Sequence, residues 1–545
     1  MPNPRAIGFW ALLLAGAPLV AGGSALAGEV TASGGGLSLG TAVNGAVGGS
    51  CGSGLCQVSG GTAAGSNLFH RFAAFDTRGA ITGVNVNTGG LPNVFMAVTN
   101  PAGSFIDKLV NFTGPTNLVW LSPGGISLSG AGGFANVQQL NLSTATGWRV
   151  GDGVFDAAGT TAGQAALLSG TPVQGLAGAV NDPAALEALG LQKNGDLSLA
   201  GGLLTVDQSL LLDAQGGNVL LQGVQLAAAG GTVGVHGEIV RLQQSSVDVS
   251  SPAAAGGQVQ LTGGEVHVAG STVNASGAGG GGQVLLGGDE RGANPNVRNS
   301  RFTTLDQASS MRADGLQRAD GGRLIVYGTE AAAVAGRLSV RGGEQSGKAG
   351  FVATSAGYLE VNQAPDIGAA FGSGGSWRID ASALRIDLTG NQVISAGAFT
   401  LPAGFSAASA TSVLGQDLIR TALQSGDVVV AAGNAANQTG NVAIRSPLAW
   451  NANRLTISAL NNINLDADLI ASGTGSLSLH YGQAVPDGGS FTYRVSPEAR
   501  IEVPLSQDGF LWKKGSQAPE YPVVFDNGLL GKLWITRPIH ATMAL

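Results

Sequence analysis

The stretches GTVGVHGEIVRLQQSSVDVS (residues 231–250) and GQVQLTGGEVHVAGSTVNAS (residues 257–276) decide the fold. Each contains three apolar pairs with a spacing of two residues, and the second stretch repeats the first after 26 residues. The pairs are Val233/Val235, Val240/Leu242 and Val247/Val249, then Val259/Leu261, Val266/Val268 and Val273/Ala275. Alternation over three to five residues is strand periodicity, and the Gly, Ser and Asn residues between the pairs favour turns.

This period predicts an all-β fold made of stacked coils. Three short strands and three turns in about 20 to 26 residues form one triangular coil, and such coils stack in parallel about 4.8 Å apart. No single coil can bury its apolar face, so stability comes from its neighbours. The same pattern returns at Leu324/Val326, Leu455/Ile457 and Leu477/Leu479. We therefore predict a parallel β-helix.

The composition agrees with a folded, apolar chain and argues against one class of partner. The chain has 545 residues, of which 90 are Gly, and only 11% are charged. An apolar fraction of 44% favours burial over disorder. The net charge of -7 argues against nucleic acid as a partner, because nucleic-acid binding requires a basic face.

The first 27 residues have the pattern of a secretory signal. Arg5 precedes an apolar run, and a small-residue site predicts cleavage between Ala27 and Gly28. A buried N-terminal helix is the alternative. In an exported chain, the adjacent Cys51 and Cys56 are expected to form a disulfide. One short helix is predicted at residues 182–190, with Asp182 as N-cap and Pro183 in its first turn.

Two further motifs carry a family resemblance. Residues 67–75 read NLFHRFAAF, and residues 114–126 read GPTNLVWLSPGGI. These motifs are similar to the N-terminal secretion domain of filamentous haemagglutinin-like exoproteins, the exported partners of two-partner secretion. The chain departs from the family pattern at Ser122 and Gly124, where Asn is usual. The secretion-motif positions, these two departures included, are Asn67, Leu68, Phe69, His70, Phe72, Asn117, Leu118, Ser122, Pro123, Gly124, Gly125 and Ile126.

The resemblance implies a right-handed β-helix and a route of export. It implies an outer-membrane transporter with periplasmic docking domains as partner. It also implies a secreted or surface-exposed protein of a Gram-negative bacterium. We accordingly expect a signal peptide (1–27), a secretion domain (28–200), passenger repeats (201–485) and C-terminal coils or a cap (486–545).

Candidate catalytic and metal-binding residues are sparse. The histidines form no metal-binding motif, and we expect His236 and His267 to be solvated. The acidic pairs Asp289-Glu290 and Asp466-x-Asp468 lack the neighbours of a catalytic site, and we expect the first to lie in an exposed loop. An insertion at residues 291–310 carries Arg291, Arg298 and Arg301, which are candidate contacts for a glycan or an anion.

These observations lead to one functional hypothesis and two alternatives. We expect an adhesin-type binding rod for an unknown cell-surface, glycan or matrix ligand, with no enzymatic activity, no cofactor and no metal. The first alternative is a haem or haem-carrier acquisition exoprotein. The second is a carbohydrate-active enzyme on a β-helix, which would require a groove lined by carboxylates.

Overall fold

The computed structural model describes residues 28–159, 168–390, 410–433, 440–506, 508–522 and 532–536. The predicted signal segment 1–27, including Ala27, lies outside the described residues, and so does His540. Gly28, the predicted first residue of the mature chain, is where the description begins.

The described residues form 46 strands, β1 to β46, and two α-helices. β1 to β16 are Val30–Ala32, Thr41–Val43, Ala46–Val47, Ser50–Cys51, Gly54–Gly60, Thr62–Ala64, Asn67–Asp76, Ile81–Val86, Asn93–Val98, Ser104–Ile106, Leu109–Leu121, Ile126–Ser129, Gly133–Ser143, Gly147–Val150, Gly153–Asp156 and Ala179–Val180. β17 to β33 are Leu197–Ala200, Leu203–Thr205, Ser209–Asp213, Val219–Gln222, Gln225–Ala227, Thr232–Gln243, Ser246–Asp248, Gln258–Ala269, Thr272–Asn274, Gln283–Leu286, Phe302–Leu305, Ser310–Arg312, Arg323–Val334, Arg337–Ser339, Phe351–Val361, Ser376–Ala381 and Leu384–Asp387. β34 to β46 are Ser412–Gly415, Asp427–Ala432, Val442–Ile444, Leu448–Trp450, Arg454–Ala459, Ile463–Leu465, Leu469–Ala471, Ser476–Tyr481, Tyr493–Val495, Ile501–Pro504, Phe510–Lys514, Tyr521–Pro522 and Lys532–Ile535. The helices are α1 (Pro183–Ala188) and α2 (Gln416–Leu423).

The predicted parallel β-helix is confirmed. β22 pairs with β24 in parallel, with Val233 opposite Val259 and Val240 opposite Val266, so the 26-residue repeat is the distance along the chain between these two coils. Each side chain of the apolar pairs in residues 231–250 and 257–276 is at most 1% exposed. All of them belong to one apolar core that also contains Val30 and Ile535. Burial of each Val or Leu side chain in these pairs contributes about 1.5–3 kcal/mol.

One long strand can supply two faces of a coil. In β22, Val233 pairs with Leu210 of β19, whereas Val240 pairs with Val219 of β20. The strand that follows, β23, pairs with β21 in a separate sheet and forms the third face. Three faces per coil therefore follow from the three apolar pairs of each repeat.

Antiparallel strands close both ends of the parallel stack. At the N-terminal end, β1 pairs with β4 and β7, and β2 pairs with β3 and β5. At the C-terminal end, β45 pairs with β44, and β46 pairs with β43. These pairings satisfy backbone groups that an open sheet edge would expose. The predicted disulfide between Cys51 and Cys56 is confirmed within the N-terminal group.

The predicted domain limits do not coincide with breaks in the stack. β17 pairs with β20 across residue 200, and β41 pairs with β44 across residue 485. Limits at these positions therefore stay predictions. The short helix is confirmed as α1, because the carboxylate of Asp182 accepts a hydrogen bond from the N–H of Ala184 at 2.9 Å, with Pro183 in the first turn.

A column of glycines lets successive coils turn one corner close together. Gly257, Gly282, Gly322 and Gly350 directly precede strands in consecutive coils. A Cβ on any of them would lie 2.0–2.1 Å from the carbonyl oxygen of the corresponding glycine one coil earlier. Such a separation is far inside van der Waals contact, so this corner requires glycine.

Candidate functional site

The two sequence motifs lie next to each other in the first coils. The strand β7 carries the first motif, β11 carries most of the second, and β9 lies between them. Leu68, Val94 and Leu118 are in register across these three parallel strands. The stacking therefore places the motifs two coil spacings apart, about 10 Å.

A ladder of asparagines connects the two motifs. Nδ2 of Asn117 donates to Oδ1 of Asn93 at 3.0 Å, and Nδ2 of Asn93 donates to Oδ1 of Asn67 at 3.0 Å. Nδ2 of Asn67 donates to the carbonyl oxygens of Leu168 and Gly170, both at 2.8 Å. Sequence reasoning missed Asn93, although its signal was present, because NLF, NVF and NLV recur at residues 67, 93 and 117.

The apolar side chains of the first motif point to two different cores. Leu68 and Phe72 belong to the main core of the rod. Phe69 points outwards, where it stacks on Phe95 with ring centroids 4.7 Å apart and contacts Phe155 at 5.0 Å. Phe155 belongs to the antiparallel unit β14–β15–β16, which covers this part of the outer face. Both kinds of position are buried, so the whole motif is part of the folded structure.

His70 is enclosed at the same strand. Its side chain is fully buried, its Nδ1 lies 3.2 Å from Oγ1 of Thr41, and its Nε2 has no partner among the described residues. Burial lowers the pKa of His70 to about 4, so the ring is neutral at pH 7. A Cβ on Gly61 would lie 2.8 Å from the ring, which explains the glycine there.

Arg71 is a buried cation that joins two covering segments. Its Nη1 donates to the carbonyl oxygen of Leu37 at 3.0 Å, and its Nη2 donates to that of Asp156 at 2.8 Å. Burial lowers the pKa of Arg71 to about 10, while the nearby charge of Asp156 opposes this shift. The guanidinium remains charged at pH 7 and holds the N-terminal segment and β15 on the first coils.

The turn in the second motif closes without the asparagines usual in the family. The N–H of Gly125 donates to the carbonyl oxygen of Ser122 at 2.9 Å, and the hydroxyl of Ser122 donates to the carbonyl oxygen of Gly125 at 2.8 Å. Ser122 also accepts a hydrogen bond from Ser104 at 2.9 Å. Serine therefore stabilises this turn with its own side chain.

The neighbouring turn residues fit the coil stacking. A Cβ on Gly124 would lie 2.5 Å from the carbonyl oxygen of Asn100, so only glycine fits there. The carbonyl oxygen of Pro123 accepts a hydrogen bond from Gly195 in the next coil at 2.8 Å. Ile126 then enters the core with 2% exposure.

The expectation that His236 is solvated is wrong. His236 is 6% exposed, with Nδ1 2.6 Å from Oγ1 of Thr262. Burial, together with the charge of Arg298, lowers its pKa to about 3. Arg298 lies some sixty residues away in the sequence, so local sequence could not show that its charge acts on His236. His267 is partly buried, and its Nε2 lies 3.2 Å from Glu265.

The arginines of the insertion bind the rod itself. We call residues 287–301 the strap, because they lie across several coils. Arg298 pairs with Glu238 at 2.7 Å, Arg301 with Glu265 at 3.3 Å, and Arg291 with Asp380 at 3.2 Å. The candidate contacts for a glycan or anion are thus engaged with carboxylates of this chain.

A cleft of about 620 Å³ lies between the strap and the rod, lined in part by Asp289, Glu290 and Asn294. Both carboxylates are half-buried, which corrects the expected exposed loop, and both pair with Nη2 of Arg323 at 3.2 and 2.9 Å. Burial would raise the pKa of Asp289, but hydrogen bonds from Asn294 and a backbone N–H, with the charge of Arg323, hold it below its usual value. Asp289 is therefore ionised, whereas a general acid needs a raised pKa.

The other acidic candidates are also paired. Asp468 pairs with Arg500 at 3.0 Å, and Asp466 accepts a hydrogen bond from Ser496 at 2.8 Å. Across the described ranges, no group of three or more His, Cys, Asp or Glu side chains is placed to hold a metal ion. The two helices and the other described segments include no helix long and apolar enough to cross a membrane.

Comparison with known proteins gives a likeness among solved structures but no match to a family model. No family model matches the chain, and no curated protein matches it. Among solved structures, the HMW1 secretion domain from Haemophilus influenzae is similar, with 17% sequence identity and a TM-score of 0.29. The match covers 66% of this chain and 99% of that one. Likeness at this level does not assign a function, so the assignment rests on the residues described above.

Proposed function

We propose that this chain is an exoprotein of the two-partner-secretion kind. In this proposal, an outer-membrane transporter with periplasmic docking domains exports it from a Gram-negative bacterium, and it folds into a rod at the cell surface or in the medium. The observation that carries the proposal is the joining of the motifs at residues 67–75 and 117–126 by the ladder of Asn67, Asn93 and Asn117.

The burial of the motifs supports recognition before folding. Asn67, His70 and Leu118 are each 0% exposed in the folded rod, so a transporter could not reach their side chains there. In an extended chain the same side chains are accessible. Folding that propagates from coil to coil suits such a route, because each coil contacts mainly its neighbours.

For the exported rod we propose an adhesin-type binding role without catalysis. A stack of coils is a rigid support for ligand-binding loops. The pairing of Asp289 and Glu290 with Arg323 favours binding or structural work over acid–base chemistry at the cleft. The ligand would be a cell-surface, glycan or matrix component.

The export step is tested by expressing the full chain with and without its candidate transporter. The measurement is the amount of mature protein in the medium and on the cell surface. We expect both to depend on the transporter, with protein held in the periplasm when it is absent. Equal export without the transporter would overturn the proposal and leave a β-helix whose cleft deserves assays for carbohydrate-active chemistry.

A further inference from the structure

The strap bonds to coils on both sides of the position where it leaves the rod. It follows β26, yet Nη1 of Arg298 donates to the carbonyl oxygen of Gly237 in the coil of β22, at 3.2 Å. In the other direction, Nε of Arg291 pairs with Oδ2 of Asp380 in β32. Nη2 of Arg291 donates to the carbonyl oxygen of Gly433, which is 142 residues later in the chain.

The docked strap covers an apolar patch on the outer face. Leu285, Ile325 and Ala353 are in register on β26, β29 and β31, and each is at most 2% exposed. Their cover includes Val297 of the strap and the ring of Tyr327. Release of the strap would expose this patch to water.

The anchors of the strap differ in their burial. The pair Arg298–Glu238 has both side chains about half exposed, so solvent and salt screen it. Asp380 has a side-chain exposure of 1%, and it also pairs with Arg378 at 3.2 Å. Arg291 itself has a φ of 55°, in the left-handed region that non-glycine residues adopt uncommonly. Arg323 of β29 also pairs with Asp289 and Glu290 of the strap. The contact of Arg291 with Asp380 is the anchor whose carboxylate is most deeply buried, and it ties the strap to β32, which follows it in the chain.

We propose that the strap is a latch that closes only when the coil carrying Asp380 has formed. An insertion within one coil, between β26 and β27, is thereby locked by coils that follow it in the chain. During folding from the N-terminus, the patch of Leu285, Ile325 and Ala353 stays open until β32 is in place. The latch is a property of the folded rod and does not depend on the route of export.

Limited trypsin digestion of the full chain tests the latch. The strap contains three cleavable bonds, after Arg291, Arg298 and Arg301. Arg291→Gln removes the anchor from the strap side, and Asp380→Asn removes it from the coil side. Asp366→Asn is the matched control, because Asp366 pairs with Arg341 outside the strap.

We expect both anchor variants to be cleaved after Arg298 about tenfold faster than wild type, since cleavage follows the open population. Asp366→Asn should be cleaved at the wild-type rate. The melting temperature of each variant separates strap release from loss of the rod. If Asp380→Asn fails to fold, the cleavage rate of Arg291→Gln decides the test, because this substitution changes only the strap. A cleavage rate after Arg298 within about twofold of wild type in Arg291→Gln would overturn the proposal.

Discussion

The side-chain amide of Asn117 donates to the side-chain oxygen of Asn93 across 3.0 Å, in strands that lie one coil apart. Asn93 in turn donates to Asn67 and also to Ser66, whereas Oδ1 of Asn117 is buried without a partner among the described residues. Asn93 therefore makes more hydrogen bonds than Asn117, although only Asn117 belongs to a recognised motif. Substitution of each asparagine can therefore test whether a motif residue acts in export or only in the folded rod.

The glycine corner should tolerate no side chain. In Gly257→Ala the new Cβ would meet the carbonyl oxygen of Gly231, so we expect a loss of about 1–3 kcal/mol in the free energy of unfolding. Gly34→Ala is the control, because no atom lies within 4 Å of a Cβ there. Urea unfolding followed by circular dichroism measures both, and equal stability of the two variants would contradict the close approach of the coils.

Loss of Arg71 should release the covering segments of the first coils. In Arg71→Met, the carbonyl oxygens of Leu37 and Asp156 lose charged donors, so we expect destabilisation by about 3 kcal/mol. Hydrogen exchange should rise at residues 147–156. The control Arg78→Met removes a partly exposed pair with Asp76 and should cost about 1 kcal/mol or less. Unchanged exchange in Arg71→Met would contradict this role.

Acid should weaken the fold through buried histidines. Burial lowers the pKa of His70 to about 4 and of His236 to about 3, from 6.5. Below pH 6.5, the unfolded chain therefore takes up protons that the folded chain does not. The free energy of unfolding consequently decreases as the pH is lowered. Asp213 has the opposite effect on the free energy of unfolding, because burial raises its pKa from 3.8 to about 6. Its protonation in the folded chain adds stability as the pH is lowered below about 6.

The net effect of these three groups between about pH 6 and pH 4 is one proton, or about 1.4 kcal/mol per pH unit. We expect the double variant His70→Gln/His236→Gln to lose this decline, and Asp213→Asn to steepen it. Guanidinium unfolding at several pH values measures the slope. Identical slopes in wild type and the double histidine variant would show that these rings do not control the acid response.

The repeating part of the fold was predictable because each coil repeats the same local pattern. Val233 and Val259 could be aligned from spacing alone, and they are partners in the stack. The closing of the turn by Ser122 was not predictable, since it depends on hydroxyl geometry. The contacts of the strap were also not predictable, because Arg291 and Asp380 are far apart in the sequence and Arg291 lies outside the repeats.

His236 shows the same limit of prediction from sequence. His236 ends an alternating strand segment, which predicts an outward position, and the position is indeed outside the core of the rod. The strap reaches this part of the rod, where its Arg298 donates to the carbonyl oxygen of the adjacent Gly237. Period-2 patterns assign the face of a sheet, but they do not show which distant segment covers that face.

The most direct measurement compares export of Asn117→Ala and Asn93→Ala through the transporter, with the folded stability of each purified protein as reference. Asn93→Ala removes more hydrogen bonds and should be the less stable rod. If the motif is recognised before folding, Asn117→Ala should nevertheless lower the secreted amount more than Asn93→Ala does. A larger loss of export in Asn93→Ala would mean that export follows the stability of the folded rod, which contradicts recognition of the motif.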